Sequence, residues 1–254
     1  MPPPFRSSGL VDDFELYDTL GSTNDRVREA AADLPAGRGL LVVAREQTAG
    51  RGRGANRWWT GPGSLAFSLL FDPESRRIDK RHRAMSALAT SVAIVETTSP
   101  LVQPRPVGIH WPNDVYIGEA KLAGILVEVL PDGRQIIGVG VNVNNTAASA
   151  PAELAPHVAT LFDLTGREHD PLELLKLLLK HMEPALTLLT ISPERLALHA
   201  DALCLQRDRR MTLDVGQGRI VEGIYSRIAD DGALVLDTPT GPETIYSGVS
   251  VKRR

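Results

Sequence analysis

The order of apolar and polar positions sets out most of the secondary structure. Ser22-Thr23 offers a helix cap, and Val27, Ala30, Ala31 and Leu34 follow at three- and four-residue spacing, forming one face of a helix that Pro35 and Gly37 end. Residues 40–44 are an unbroken apolar run of strand length. Residues 64–71, after a Gly61-Pro62-Gly63 turn, are another. Met85, Leu88, Ala89, Val92 and Val95 mark a core-facing helix. Residues 107–111 read as a strand halted by Pro112, and 114–117 and 122–130 as two strands joined at Gly118-Glu119. Asp132-Gly133 is a hairpin turn leading into a strand over 135–143. An Ala/Pro-rich stretch covers 146–156, and helical spacing returns over 172–189 and 193–203. From residue 211 the character changes to short strands at 211–215, 220–228, 233–236 and 244–246. Gly216-Gln217-Gly218, Asp231-Gly232 and Thr240-Gly241 punctuate them. The pattern predicts an α+β unit over 1–203 and a small all-β module over 204–254.

Composition narrows the function classes. The 254 residues suit one ordinary domain plus a small second one, and 43% hydrophobic residues allow a proper core. A formal net charge of -3 argues against a general nucleic-acid binder. The single cysteine, Cys204, excludes an internal disulfide and a cysteine-based zinc site, and is expected to be a buried, reduced thiol. Met1-Pro2-Pro3-Pro4-Phe5 lacks the basic-then-apolar pattern of a secretory leader. No apolar run approaches the roughly 20 residues that span a bilayer. The expectation is a cytoplasmic protein without membrane contact. His82, His157, His169, His181 and His199 are scattered and receive no role.

Five segments carry chemistry. Gly50-Arg51-Gly52-Arg53-Gly54-Ala55-Asn56-Arg57-Trp58 combines glycines, which permit close backbone approach, with arginines shaped to grip carboxylate or phosphate, and ends on an indole. It reads as a mobile loop closing over an anionic, nucleotide-like ligand. Ser22-Thr23-Asn24 can point at a small polar ligand, although capping alone explains it. Trp111-Pro112-Asn113-Asp114 presents an amide and a carboxylate at a strand end. It is either a plain Asn-Asp turn or a place for Mg2+ that is also bound to ATP phosphates. Lys121, three residues before Gly124 in an apolar strand, is either a solvated lysine or a point charge for a phosphate or carboxylate. In Gly138-Val139-Gly140-Val141-Asn142-Val143-Asn144, period-2 alternation puts both glycines and both asparagines on one face. That face is open to a ligand or to close packing of another backbone.

Taken together, in this order and spacing, the motifs resemble the biotin protein ligases (biotin–acetyl-CoA-carboxylase ligase, holocarboxylase synthetase). They are Ser-Thr-Asn, Glu46-Gln47-Thr48-Ala49 running into the Arg/Gly loop, Trp-Pro-Asn-Asp, Lys-Leu-Ala-Gly-Ile-Leu-Val-Glu and Gly-x-Gly-x-Asn-Val-Asn across residues 15–145. The tail from Gly223 through Ser247-Gly248 is similar to the family's small C-terminal β-barrel. The resemblance implies a mixed sheet flanked by helices, like the class II aminoacyl-tRNA synthetase and biotin/lipoate ligase catalytic domain, with an SH3-like β-barrel after it. It implies an enzyme that joins biotin to ATP as biotinyl-5′-AMP, then passes the biotinyl group to a lysine of biotin carboxyl carrier protein. ATP with Mg2+ is the co-substrate, and no tightly bound prosthetic group is expected.

By the same resemblance, Ser22, Thr23 and Gln47 hydrogen-bond the biotin ureido group, with Asn24 beside them. Gly50, Arg51 and Arg53 lie at the biotin carboxylate and the α-phosphate, and Trp58 packs over the adenine and biotin. Lys121 neutralises charge as the anhydride forms and is the main catalytic residue, with Arg51 and Arg53. Asn113 and Asp114 contact ATP, Asp114 meeting its Mg2+, while Arg57 adds positive charge. Gly124, Gly138 and Gly140 line the biotin channel, and Asn142 reaches the adenosine.

There are departures from the pattern. His110 stands where the family commonly has lysine before Trp-Pro-Asn-Asp, and Gly54-Ala55-Asn56 replaces further arginines of some relatives. Some members carry a helix-turn-helix domain ahead of Ser-Thr-Asn. The residues before Ser22 are too few for one, so a ligase without DNA binding is expected. The family includes monomers and dimers, and a homodimer stays open. The alternatives are a lipoate or octanoate ligase of the same fold, an Arg-Gly RNA-binding protein, and a non-catalytic biotin-binding module.

Overall fold

The computed structural model describes residues 9–54 and 56–251. The Met1 to Phe5 segment and Ala55 of the loop lie outside the described residues. A seven-stranded sheet dominates, in the order β1 (Asp13–Leu20), β2 (Leu40–Gln47), β3 (Leu65–Phe71), β7 (Gln135–Val141), β6 (Ala120–Val129), β5 (Asp114–Ile117) and β4 (Val107–His110). β1 runs parallel to β2 and every other pairing is antiparallel, so the sheet is mixed. β3 and β7 are buried at every position. That follows from helices on both faces, which remove the in/out alternation of a half-exposed strand.

Helix α1 (Thr23–Ala31) covers one face, setting Val27 and Ala31 on Leu40, Val42, Leu70 and Ile136. The larger core lies beneath α2 (Ser86–Val102) and α4 (Pro171–Ile191), with α3 (Leu161–Thr165) and α5 (Pro193–Ala202) beside them. The stretch 80–102 is long and apolar enough to cross a membrane by length and composition, contrary to the reading of the sequence. However, 72% of its most apolar window is buried in the fold, as befits a core helix.

The elements predicted from periodicity are present, with ends shifted by a few residues. The last sheet strand stops at Val141 rather than residue 143. β1 was not foreseen. It is an edge strand in which Asp13 and Glu15, paired to Arg38 and Arg26, alternate with Phe14 and Leu16, but Asp18 then breaks the apolar face and leaves the alternation too short to stand out.

The C-terminal strands β8 (Arg210–Asp214), β9 (Ile220–Ile228), β10 (Leu234–Thr238), β11 (Gly241–Ile245) and β12 (Val249–Ser250) form a separate antiparallel sheet, ordered β11-β10-β9-β8-β12. It is tied firmly to the first unit. Ile109 of β4 exchanges hydrogen bonds with Leu203 and Leu205 (2.9 and 3.0 Å), and Trp111 Nε1 donates to Gly232 O (3.0 Å). The Asp201 carboxylate accepts from Tyr225 O–H (2.9 Å), Ile228 N–H (2.9 Å) and Arg207 (2.7 Å). Cys204 is buried and free, and burial pushes its thiol pKa up.

Candidate active site

The sheet carries a floor of small residues. Register aligns Gly124, Gly140 and Ala66 in one row across β6, β7 and β3, and Leu126, Gly138 and Ser68 in the next. A Cβ on Gly138 would stand 2.2 Å from Asn24 Oδ1, and one on Gly140 2.3 Å from the Trp58 ring. The glycines are therefore required because side chains from α1 and from the Arg/Gly loop rest directly on the strands. Above this floor is a cavity of about 570 Å3. Of the residues assigned to the site from sequence, all but Gly50 line it. Gly50 lies under the loop, where a Cβ would meet Trp58 O at 2.7 Å.

At one end, the start of α1 makes a polar pocket. Ser22 makes no side-chain capping bond, so the capping explanation of Ser22-Thr23-Asn24 fails. Thr23 N–H and Oγ1 donate to Gln47 Oε1 (2.9 and 3.2 Å), and Gln47 Nε2 donates to Thr60 (3.4 Å). Ser68 Oγ donates to Asn24 Oδ1 (2.5 Å) and lies 2.7 Å from Thr23 Oγ1. These neutral donors and acceptors are nearly all buried. Such a pocket suits an uncharged polar ring, because a neutral ligand of matching pattern replaces lost water without a charge penalty.

The loop is a small hairpin in which Arg51 bridges to Arg57, Gly52 N–H donates to Asn56 O (2.8 Å) and Trp58 N–H donates to Gly50 O (3.0 Å). Its arginines meet opposite surroundings. Arg51 is held by two carboxylates, with Nη1 2.6 Å from Asp25 Oδ2 and Nη2 3.2 Å from Glu128 Oε2. Arg53 is more deeply set and meets only neutral acceptors: Asn113 Oδ1 and Gly248 O at 3.2 Å and Ser247 Oγ at 2.8 Å. Burial lowers its pKa, and among the described residues no carboxylate lies within 4 Å of it. Asn113 is fixed in turn by donating to Ile125 O (2.6 Å).

Lys121 Nζ sits 2.7 Å from Asp114 Oδ1 and 5.7 Å from the centre of the Trp58 ring. The Asp114 contact is ionic, without the alignment of a hydrogen bond. Residues three apart in a regular strand face opposite ways, yet Lys121 and Gly124 share a face, with Lys121 Nζ about 3.0 Å from where a Gly124 Cβ would be. The cause is a register irregularity. Asp114 pairs with Gly124 but Tyr116 pairs with Lys121, so the extra residue of a bulge turns the lysine into the cavity.

His110 stacks on Tyr116, ring centroids 3.9 Å apart and 8° from parallel, and its buried Nε2 has no partner among the described residues. Burial pulls the His110 pKa below its usual value and raises that of Tyr116 to about 12. Asn142 lines the cavity, but its amide braces the fold, donating to Lys121 O (3.1 Å) and accepting from Asn145 (3.0 Å). Asn144 faces away and bonds the His169 backbone.

The chain matches the model of the biotin/lipoate A/B protein ligase family over residues 17–144 and that of the biotin protein ligase C-terminal domain over residues 210–252. It is 32% identical over 244 residues to the biotin–[acetyl-CoA-carboxylase] ligase of Mycobacterium tuberculosis, covering 94% of this chain and 89% of that one. This chain belongs to the biotin protein ligase family. The ligase of the same description from Paracoccus denitrificans is 30% identical, over 88% of this chain and 94% of its own. The solved structure of the biotin protein ligase from Aquifex aeolicus in complex with biotin and ATP superposes with a TM-score of 0.80 at 27% identity, covering 96% and 98% of the two chains. The protein is thus a ligase, and its two sheets match the architecture of that family.

Within this ligase, several contributors escaped the sequence reading, among them Gln206 and His157, which line the cavity. Ser68 was detectable as the one polar residue inside Leu-Ala-Phe-Ser-Leu-Leu-Phe, a strand otherwise wholly apolar. Glu128 closes the Lys-Leu-Ala-Gly motif but was given no role. Tyr116 and the segment Gly248 to Ser250 reach the cavity through tertiary pairing alone.

Proposed function

We propose that this ligase activates biotin with ATP and transfers it to a lysine of a biotin carboxyl carrier protein. The observation that carries this is the cavity itself, in which a neutral polar pocket at Thr23, Asn24 and Gln47 runs into a cationic section at Lys121 and Arg53. Biotin has the matching shape, an uncharged ureido ring at one end and a carboxylate at the other. The relatives named for biotin and the C-terminal domain match favour biotin over lipoate, whose dithiolane offers nothing to the polar pocket.

In the first step a biotin carboxylate oxygen bonds to the α-phosphorus of ATP, the bond to the β-phosphate oxygen breaks, and pyrophosphate leaves. No general base is required, because the carboxylate is ionised at neutral pH. Lys121 and Arg53 face the charge that gathers between carboxylate and phosphate, in a cavity where water screens little. Trp58 and the hairpin keep water from the mixed anhydride. In the second step the acceptor amine attacks the acyl carbon, AMP leaves, and the new amide sheds one proton.

Among the described residues, no group of three or more His, Cys, Asp or Glu side chains could hold a resident metal. Asp114, with a buried oxygen lacking an aligned donor beside Asn113, suits Mg2+ that arrives on ATP. Such an ion would spread phosphate charge. A cytoplasmic setting, where ATP and carrier protein meet, fits this reading.

The test is pyrophosphate release on mixing the protein with ATP and biotin, repeated with lipoate. Release with biotin alone is expected. Release only with lipoate, or none with either, sinks the proposal.

A further inference from the structure

The two lid arginines, two residues apart, have different electrostatic partners, and the difference assigns them different work. Arg53 is a half-buried cation whose hydrogen-bond acceptors are all neutral, with Asp114, itself paired to Lys121, acting on it only from beyond contact distance, and an arriving anion is its natural counter-charge. Arg51 is already compensated. Asp25 comes from the first turn of α1, next to the polar pocket, and Glu128 from the end of β6, so one guanidinium joins the lid to two rigid elements. Its hydrogen bond holds the Asp25 carboxyl below the usual carboxylate range.

Glu128 does more than pair with Arg51. Its Oε2 also accepts from Asn24 Nδ2 (2.5 Å), and its Oε1 lies 3.0 Å from Arg28 Nη2. One carboxylate therefore fixes the pocket amide of Asn24, a residue of α1 and the lid at once. Its side chain is 25% exposed, less than that of Arg51 (37%) or Asp25 (45%), so its contacts are the better shielded from solvent.

We propose that Glu128 and Asp25 are positioning residues that pin the lid through Arg51, and that this pin governs how long the site keeps its reactive acyl-adenylate rather than how strongly it draws substrate anions. The inference rests on the adenylate-forming reading above. The division of labour follows from charge: a guanidinium facing two carboxylates offers an incoming anion little net attraction, whereas breaking its contacts lets the hairpin open.

The experiment compares wild type, Glu128→Gln, Asp25→Asn and the double variant, with Glu128→Asp as a charge-conserving control. The readouts are discharge of preformed labelled biotinyl adenylate, KM for ATP, and trypsin cleavage after Arg53 and Arg57 in the ligand-free protein. Adenylate discharge and lid cleavage are expected to rise about fivefold to tenfold in the double variant, with the KM for ATP within about twofold and partial rescue by Glu128→Asp. Unchanged lid cleavage and discharge in the double variant overturns the proposal. So does a rise in the KM for ATP matching the rise in discharge, because that places Arg51 at the nucleotide. Should Glu128→Gln not fold, Asp25→Asn, at an exposed position, carries the test with the same readouts. Faster lid cleavage in a protein whose wild type releases no pyrophosphate supports the pin and overturns the functional reading, so the two fail separately.

Discussion

Lys121 is the residue on which the proposed chemistry turns. It stands between Asp114 and the Trp58 ring, close above Gly124, and its ammonium is a mobile point charge rather than a rigid fork. Lys121→Ala should abolish adenylate formation with the fold intact. A loss below about tenfold, roughly 1.4 kcal/mol of barrier, contradicts its assignment. Its neighbour His110 is the chain's own variation. Stacked on Tyr116 and kept neutral by burial, it supplies no charge where lysine would supply one. His110→Lys should therefore lower the KM for ATP, and an unchanged KM would show that the phosphates do not reach this corner. Carbonyl, carboxamide and glycine contacts complete the site. Gly138 shows how tightly they are fitted, since any side chain there would strike Asn24.

At the scale of elements, the hairpin carrying Arg51 and Arg53 is the proposed lid, and its two arginines contact different sides of the cavity. Its arginine contacts bridge α1 and β6 on one side and the C-terminal module on the other. Arg53→Gly removes the second attachment and a cation facing the anhydride. It should release biotinyl-AMP early, so that bystander proteins mixed with enzyme, biotin and ATP become labelled at surface lysines. Retention of adenylate equal to wild type would refute this. The bulge in β6 is the other decisive element, because without it Lys121 would turn away from the face that carries Gly124 and Glu128.

For the molecule as a whole, the C-terminal sheet is part of the site. Gly248, Val249 and Ser250 line the cavity, Arg53 reaches Ser247 and Gly248, and Trp111, at the head of the Asn113-Asp114 pair, is held by Gln206 and Gly232. Asp201 anchors this arrangement from α5. Asp201→Ala leaves the Tyr225 hydroxyl and Ile228 N–H buried without an acceptor, which should cost about 3 kcal/mol of stability. It should also loosen the grip on Arg53. Thermal melting and adenylate discharge measured on the same preparation would check both effects, and a melting temperature equal to wild type would contradict the first.

Periodicity and residue type alone mark the strongly periodic helices and strands, the glycine-bearing face of β7, and a set of site residues of which all but Gly50 line the cavity. Local spacing and residue chemistry suffice for these, since a glycine pair, an arginine loop or a lysine in an apolar strand is visible without knowing its neighbours. The edge strand β1 escaped because partial burial lets acidic residues interrupt its alternation. Which way each group faces, and what it meets, is set by strand register and packing. Strand register put Ser68 beneath Asn24, a bulge turned Lys121 inward, and packing gave Arg51 two carboxylates and Arg53 none. Apart from the bulge, which lies within one hairpin, those outcomes depend on partners 26 to 195 residues away along the chain, and no local pattern encodes them. The Arg-x-Arg of the loop looks like a doubled anion clamp in the sequence. In the fold its two arginines are divided, one paired to the protein and one facing the cavity.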